Sequence, residues 1–420
     1  GNGSYSTADS YVKQVWDGRY TGIRMCNQLL ENIDRVPDLD PELKKRYIGE
    51  AKVLRAYNYY ELYTKFGDVP YTTKVLSIKE SMSIARTDRA TVIANMLADL
   101  DEVINGNYLP ASYDADNKGR ITRWAAMAIK AKIYLFEGNW TQVKNITSTI
   151  MTEGGFRLFG SYAGLFEIAN EYNSEVILDA QYRPTSREHQ MMYAFLPPSL
   201  GGYSQLSPLQ ELVDSYIMLD GKTIRETGTS FDESNPYANR DPRLKATVMY
   251  TGNSYTLADG TEVVINCEKG EGKDGYGVGS DCSATGYYIK KYWDNTYRAT
   301  LYSGLNPILI RYADILLMNA EALAELGELD KTAWDATIKP IRDRAGFTLA
   351  SAVEFPEGAS KDKLIEIVRN ERRSELALEG HRHKDIIRWR IADNVLNGWC
   401  HGLKTNDVVG TDDGYVRVEN

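Results

Sequence analysis

The chain has 420 residues, 43% hydrophobic and 25% charged, which is enough to bury a large core in one to three domains. Its formal net charge is −9 and no lysine–arginine cluster stands out, which argues against nucleic acid as a partner. No run of about twenty apolar residues occurs, so no membrane-spanning helix is expected.

Tyrosine is the compositional outlier, at 29 against 9 phenylalanines. A tyrosine offers an apolar ring with a polar tip, useful both in half-wet packing and on ligand-facing surfaces. The four cysteines, Cys26, Cys267, Cys282 and Cys400, form no C-x-x-C pair, and histidine is scarce, so no zinc site is expected. Cys267 and Cys282 flank a glycine-rich segment; a bridge in an oxidising compartment and two free thiols both remain open.

In chain order, the spacing of Trp16, Tyr20, Ile23, Leu30 and Ile33 predicts a helix over 8–33, punctuated by Pro37 and Pro41. A second helix, over 42–66, carries Tyr47, Leu54, Tyr57, Tyr60, Leu62 and Phe66 on nearly all sides, so it is expected to be sandwiched. Helices over 89–105 and 122–136 follow, and a further one runs to Glu153 after the Glu137-Gly138-Asn139-Trp140 turn. The run 131–138 matches 320–327, and each is followed by a helix with a tryptophan near its start. Helix, glycine turn and helix is the tetratricopeptide design.

Between 154 and 306 the pattern changes. Alternating runs at 176–182 and 247–250 read as strands, and glycines at 252, 260, 270, 272, 275, 277 and 279 mark turns. Excursions of this length in a helical scaffold are usually functional or mobile. The stretch Asn239-Arg240-Asp241-Pro242-Arg243-Leu244 reads as a turn whose charges tether the excursion to the helices.

Three helices are then expected: one after Pro307 to Gly327, one carrying Trp334, Ile338, Ile341 and Ala345 to Gly346, and one from Ser360 to Gly380. On the third, Leu364, Ile367 and Val368 begin an apolar stripe that continues through Glu371 and Glu375 to Leu378. A carboxylate on an apolar face is costly unless paired, and arginine is its natural partner. Arg372, Arg373 and Arg382 lie close in sequence, and Arg311, Arg342 and Arg344 sit on the neighbouring helices. This predicts a buried ion-pair network of Glu371 and Glu375 with Arg311, Arg342, Arg372 and Arg382. The alternative, two carboxylates acting as acid and base, stays open.

The segments 311–322, 341–347 (Ile-Arg-Asp-Arg-Ala-Gly-Phe) and 369–382, together with 50–70 and 239–244, resemble the SusD/RagB family of surface glycan-binding lipoproteins of Bacteroidetes. The resemblance implies an all-α, tetratricopeptide-like helix-pair superhelical scaffold with a long irregular, partly β excursion. It would form one SusD-like domain: helix pairs over 1–153, the excursion over 154–306, helix pairs over 307–390 and a tail over 391–420. It also implies a lipid-anchored protein on the outer face of the outer membrane that captures oligosaccharide or polysaccharide for a TonB-dependent SusC-like transporter, breaking no bond and using no cofactor. Family members carry a signal peptide, a lipid-accepting cysteine and terminal segments not seen here, so the chain is expected to be truncated at both ends.

Sugars present flat C–H faces and dense hydroxyl edges, so a binder needs exposed rings beside polar side chains. Trp293, Asn295, Tyr297 and Arg298, with Tyr302 shortly after, supply that mixture, and the family's ligand-stacking aromatics come from loops in this region. Tyr287, Tyr288 and Tyr292 are equally consistent with a core role. Tyr71, in the loop after Pro70, and Tyr203, after Pro197-Pro198, are further candidates. His381 and His383 with Asp385 lack a third metal ligand at credible spacing, so no metal is expected. No Gly-x-Ser-x-Gly elbow or phosphate loop is present. Other functions left open are peptide capture on the same scaffold, an all-α glycoside hydrolase or lyase, and a helical scaffold for cytosolic partners.

Overall fold

The computed structural model describes residues 9–296, 301–405 and 414–418. They fall into two compact units, 1–155 and 156–420. The first is helical: α1 (Ser10–Asn32), α2 (Pro41–Phe66), α3 (Ile78–Ser83), α4 (Arg89–Asn105), α5 (Arg123–Phe136) and α6 (Trp140–Glu153). Each long helix starts where a side chain can accept from otherwise orphaned backbone amides: Asp9, Asp40, Asp88, Thr122 and Asn139 all do so. α2 also opens on Pro41, whose missing N–H is no loss there, and it stops at Gly67 with φ of 66°. It packs between α1 and α4, burying Val53, Ala56, Tyr59, Leu62 and Tyr63. α4, α5 and α6 continue the side-by-side stacking in a tetratricopeptide-like manner.

In the second unit, α7 (Met191–Phe195), α8 (Gln210–Ser215) and α9 (Pro242–Thr247) are short helices within the excursion. The scaffold is α10 (Tyr312–Leu326), α11 (Lys331–Ala345) and α13 (Lys361–Glu375), with α12 (Ala350–Val353), α14 (Arg382–Arg388) and α15 (Ala392–Val395) as short additions. Trp334 is fully buried, and its indole N–H donates to the Val353 carbonyl at 2.9 Å. Among the described residues, strands occur as four antiparallel pairs: β1 (Val176–Asp179) with β6 (Ile308–Arg311), β2 (Val248–Met249) with β5 (Tyr288–Ile289), β3 (Ser254–Thr256) with β4 (Glu262–Val264), and β7 (Cys400–Lys404) with β8 (Tyr415–Val418).

Two expectations are corrected. The helix expected after Pro307 begins only at Tyr312, because residues 308–311 pair with β1 and carry Arg311 into the core. The helix expected to reach Gly380 ends at Glu375. Residues 376–380 turn instead, with Leu378 and Gly380 at positive φ, which no α-helix accommodates. All four cysteines are free thiols, and Cys267 and Cys282 are not joined.

The two glutamates on α13 are buried, Glu371 at 2% and Glu375 at 0% exposure. Arg243, on α9, reaches both, at 2.7 Å to Glu371 and 2.8 Å to Glu375. Arg342 meets Glu371 at 2.7 Å, Arg311 meets Glu375 at 2.6 Å, and Arg344 also pairs with Glu375. The network extends through Glu175, bound by Arg311 and Arg344, and through Glu379, bound by Arg311 and Lys291. With Asp241 on Arg243, five carboxylates (Glu175, Asp241, Glu371, Glu375, Glu379) face five cations (Arg243, Arg311, Arg342, Arg344, Lys291). Such balance is what makes burial of so much charge tolerable. Arg372 points elsewhere, to Asp314 at 2.6 Å and Asp385 at 3.0 Å, so it serves a second cluster with Arg388 and Glu321 rather than the two glutamates. Arg382 joins no ion pair among the described residues and lies over the Trp389 ring, 5.9 Å from its centre.

Burial alone would raise the carboxyl pKa values of Glu371, Glu375 and Glu379, but the cations around them outweigh it and hold all three below the usual 4.5. A carboxyl whose folded pKa lies below its unfolded one contributes stability above the unfolded pKa and loses it as pH falls. Urea unfolding followed by tryptophan fluorescence is therefore expected to give a constant free energy above about pH 5 and a progressive fall below it. A free energy unchanged down to about pH 3 contradicts the network's role.

Candidate functional site

The aromatic run 287–302 divides sharply by exposure. Tyr287, Tyr288 and Tyr292 are core residues at 1%, 0% and 4% exposure. The hydroxyls of the first two are satisfied: Tyr287 donates to Gln210 Oε1 and Tyr288 to the Asp274 carbonyl, both at 2.6 Å. Lys291, between them in sequence, is buried against Glu379 and pushed down to about 8 by that burial. Trp293 is half-buried. Its indole N–H donates to the Thr256 carbonyl at 2.9 Å, and its ring lies 4.9 Å from Tyr255 at an interplanar angle of 56°. This tryptophan closes the side of the core that holds Tyr255, Tyr287 and Tyr288. Asp294 is buried and accepts from the Thr296 amide and the Ser303 hydroxyl, which turns the chain so that Asn295 projects into solvent. Tyr297 and Arg298 lie outside the described residues.

Tyr302 and Tyr203 are the two candidates with open rings, at 43% and 41% exposure. Tyr203 stacks on Tyr193, centroids 4.1 Å apart and planes within 23°, and its amide donates to the Tyr193 carbonyl at 2.9 Å. Gly202 makes this return possible: a Cβ there would sit 2.0 Å from the Leu196 carbonyl oxygen, so only glycine lets the chain fold back onto α7. Tyr302 is carried next to Ser303, which exchanges two backbone hydrogen bonds of 2.9 Å with His189 just ahead of α7. His189 is anchored in turn to the Leu305 carbonyl at 2.8 Å and by an edge contact with Tyr182. α7 thus ties the Tyr193–Tyr203 stack and the Tyr302 segment to one framework, and Leu206 adds exposed apolar surface at 56%.

Tyr71 belongs to the first unit. Its ring tilts against Tyr59 at 4.5 Å, and burial pushes its hydroxyl up to about 12, the behaviour of a packing residue. Glu371 and Glu375, enclosed by arginines, have no path to a substrate, so the acid–base reading of this pair is excluded. Among the described residues, no three His, Cys, Asp or Glu side chains group as metal ligands would, His381 and His383 included.

One feature is invisible in the linear pattern. A cavity of about 720 Å³ is bordered by Gln210, Asp214, Tyr237, Arg240, Tyr287 and Tyr415, among others. Its floor is a chain of paired groups: Tyr237 and Tyr287 share a hydroxyl contact of 3.3 Å, Tyr287 donates to Gln210, and Gln210 donates to Asp214 at 2.7 Å. Tyr237 also stacks on Tyr250, centroids 3.9 Å apart. Rings beside amide, carboxylate and hydroxyl groups suit a polyol.

Sequence and structural comparisons give one answer. A family model described as the SusD family matches residues 165–415, and one described as starch-binding, associating with outer membrane, matches residues 2–135. SusD-like protein P25 of Formosa agariphila is 28% identical over 410 residues, covering 92% of this chain and 71% of that protein. A SusD-like carbohydrate-binding protein of Bacteroides fragilis superposes with a TM-score of 0.88 at 27% identity, covering 99% of this chain and 82% of that one. A laminarin-binding SusD-like protein superposes with a TM-score of 0.66 at 25% identity, covering 91% and 79%.

Because its ring closes the excursion's core, Trp293→Ala is expected to cost about 2 kcal/mol, less than the about 3–5 kcal/mol of a fully buried aromatic. Thermal unfolding checks this, and an unchanged melting temperature would make Trp293 a surface residue.

Proposed function

The chain belongs to the SusD family, and on that footing we propose that it binds oligosaccharide or polysaccharide at the cell surface without breaking it. The observation that carries this reading is the exposed ring surface of Tyr203, stacked on Tyr193 and framed with Tyr302. Stacking Tyr203 on a second ring sets its plane in advance, so little freedom is lost when a sugar face lands on it. The exposed Asn295 supplies an amide for hydroxyl groups, and the cavity floor of Tyr237, Tyr287, Gln210 and Asp214 supplies more. The relatives described as carbohydrate-binding and laminarin-binding support the ligand class.

The non-catalytic part of the proposal is supported by the burial of the one carboxylate pair that the sequence singled out. No helix of the described residues is long and apolar enough to cross a membrane. We place the protein on the outer face of the outer membrane, held by a lipid anchor and passing glycan to a TonB-dependent SusC-like transporter. The matched family description, associating with outer membrane, supports that location.

Native affinity electrophoresis through gels containing a panel of polysaccharides tests the reading. Retardation by at least one glycan is expected, with no reducing sugar released. Tyr203→Ala is expected to weaken the retardation several-fold, the loss of about 1 kcal/mol of stacking. Release of product would make the protein an enzyme, and migration unaffected by every glycan would count against glycan capture.

A further inference from the structure

A groove of about 540 Å³ runs along α13, bordered by Ile365, Arg369, Asn370, Arg373, Arg382 and Trp389. Its lining carries three arginines, Arg369, Arg373 and Arg382, and three acids, Glu325, Asp362 and Glu366. Arg369 holds Glu325 at 2.9 Å, yet its Nε is buried without an acceptor. Arg373 donates to the main-chain carbonyl of Glu211, while the Glu211 carboxylate is engaged by His401 at 2.6 Å. Arg382 makes no ion pair among the described residues, and the acids on either side of it in the chain are engaged elsewhere, Asp385 by Arg372 and Arg388 and Glu379 by Arg311 and Lys291. Of the lining acids, Glu366 is exposed and paired with Lys363 at 2.9 Å, and Asp362 is exposed.

The guanidiniums are also held in place. Arg369, Arg382 and Arg388 lie over the Trp389 ring at 4.9, 5.9 and 4.8 Å from its centre, and Trp389 is fixed by donating to Glu321 at 2.6 Å. Burial first, and the neighbouring Arg382 second, push Arg373 down to about 10. Two like charges lining one half-buried groove are costly until a counter-ion arrives. A preset guanidinium fork favours a flat or tetrahedral oxyanion, which it meets with two bonds.

We propose that this groove, at Arg373 and Arg382, binds the oxyanion of an acidic sugar residue, a uronate carboxylate or a sulfate ester, so that the captured glycan is anionic. The inference rests on the glycan-binding reading above and gives it a substrate class. It assigns to Arg382 a role that the core network does not supply.

Isothermal titration of the wild-type chain with three oligosaccharide probes tests it: an oligogalacturonate, a sulfated carrageenan oligosaccharide and a neutral laminari-oligosaccharide. One acidic probe is expected to bind at least about tenfold more tightly than the neutral one, with affinity falling as salt rises. Arg382→Gln is expected to lose about tenfold for that probe and to change the neutral probe by less than about twofold. Arg382→Lys, which keeps the charge but not the fork, is expected to fall between. The acidic arm that binds tells carboxylate from sulfate. Neutral binding as tight as acidic binding, or an Arg382→Gln variant with unchanged acidic affinity, overturns the anionic class and leaves glycan capture standing. Binding of none of the three probes overturns the anionic class, and the panel electrophoresis then decides glycan capture separately.

Discussion

The fate of the Glu375 carboxylate decides how the second unit is built. It sits on a helix face that packs inward, at 0% exposure, and three guanidiniums converge on it from α9, from the end of β6 and from α11. None of those arginines is close to it in sequence. The ion pairs therefore act as long-range staples, and they are directional in a way that apolar contacts are not. Removing one member of a buried pair strands the others, at a typical cost of about 3–5 kcal/mol. The network's value is thus in specifying one arrangement of chain segments.

What it arranges is the excursion. Arg243 and Lys291 belong to the irregular region, and Glu175 lies just before β1. Among the described residues, the excursion has only short two-stranded pairings of its own, which are weak alone. Charge staples to α11 and α13, along with the tyrosine-rich core around Tyr255, Tyr287 and Tyr288, let loops without regular structure hold fixed positions. Rings such as Tyr203 and Tyr302 can then stay exposed on a rigid frame. That combination suits a ligand face better than mobile loops would, because ordering is not left to the ligand.

The helical half of this design was legible from the chain. The stops at Gly327 and Gly346 and the 3.6-residue stripes follow from local chemistry. Two boundaries escaped because distant pairing overrode local preference. β6 took the residues before Tyr312, and a left-handed Leu378 broke the last helix where the apolar stripe still ran on. The charged turn around Arg243 read as a tether, yet its targets lay 132 residues away at Glu375, a distance that no pattern encodes. The candidate rings were harder still. Trp293 and Tyr203 look alike in sequence, and only packing shows that one closes a core while the other faces solvent. The cavity draws residues from separated segments, so it leaves no local signature.

Buried charge pairs thus hold the excursion on the helices. Residue-resolved hydrogen exchange of Glu375→Gln against the wild type tests this role most directly. Amides of Val248, Met249, Tyr288 and Ile289 are expected to lose protection first, while those of Ile315 to Leu323 on α10 keep theirs. Wild-type protection in the two strands, with loss confined to the helices, would contradict it.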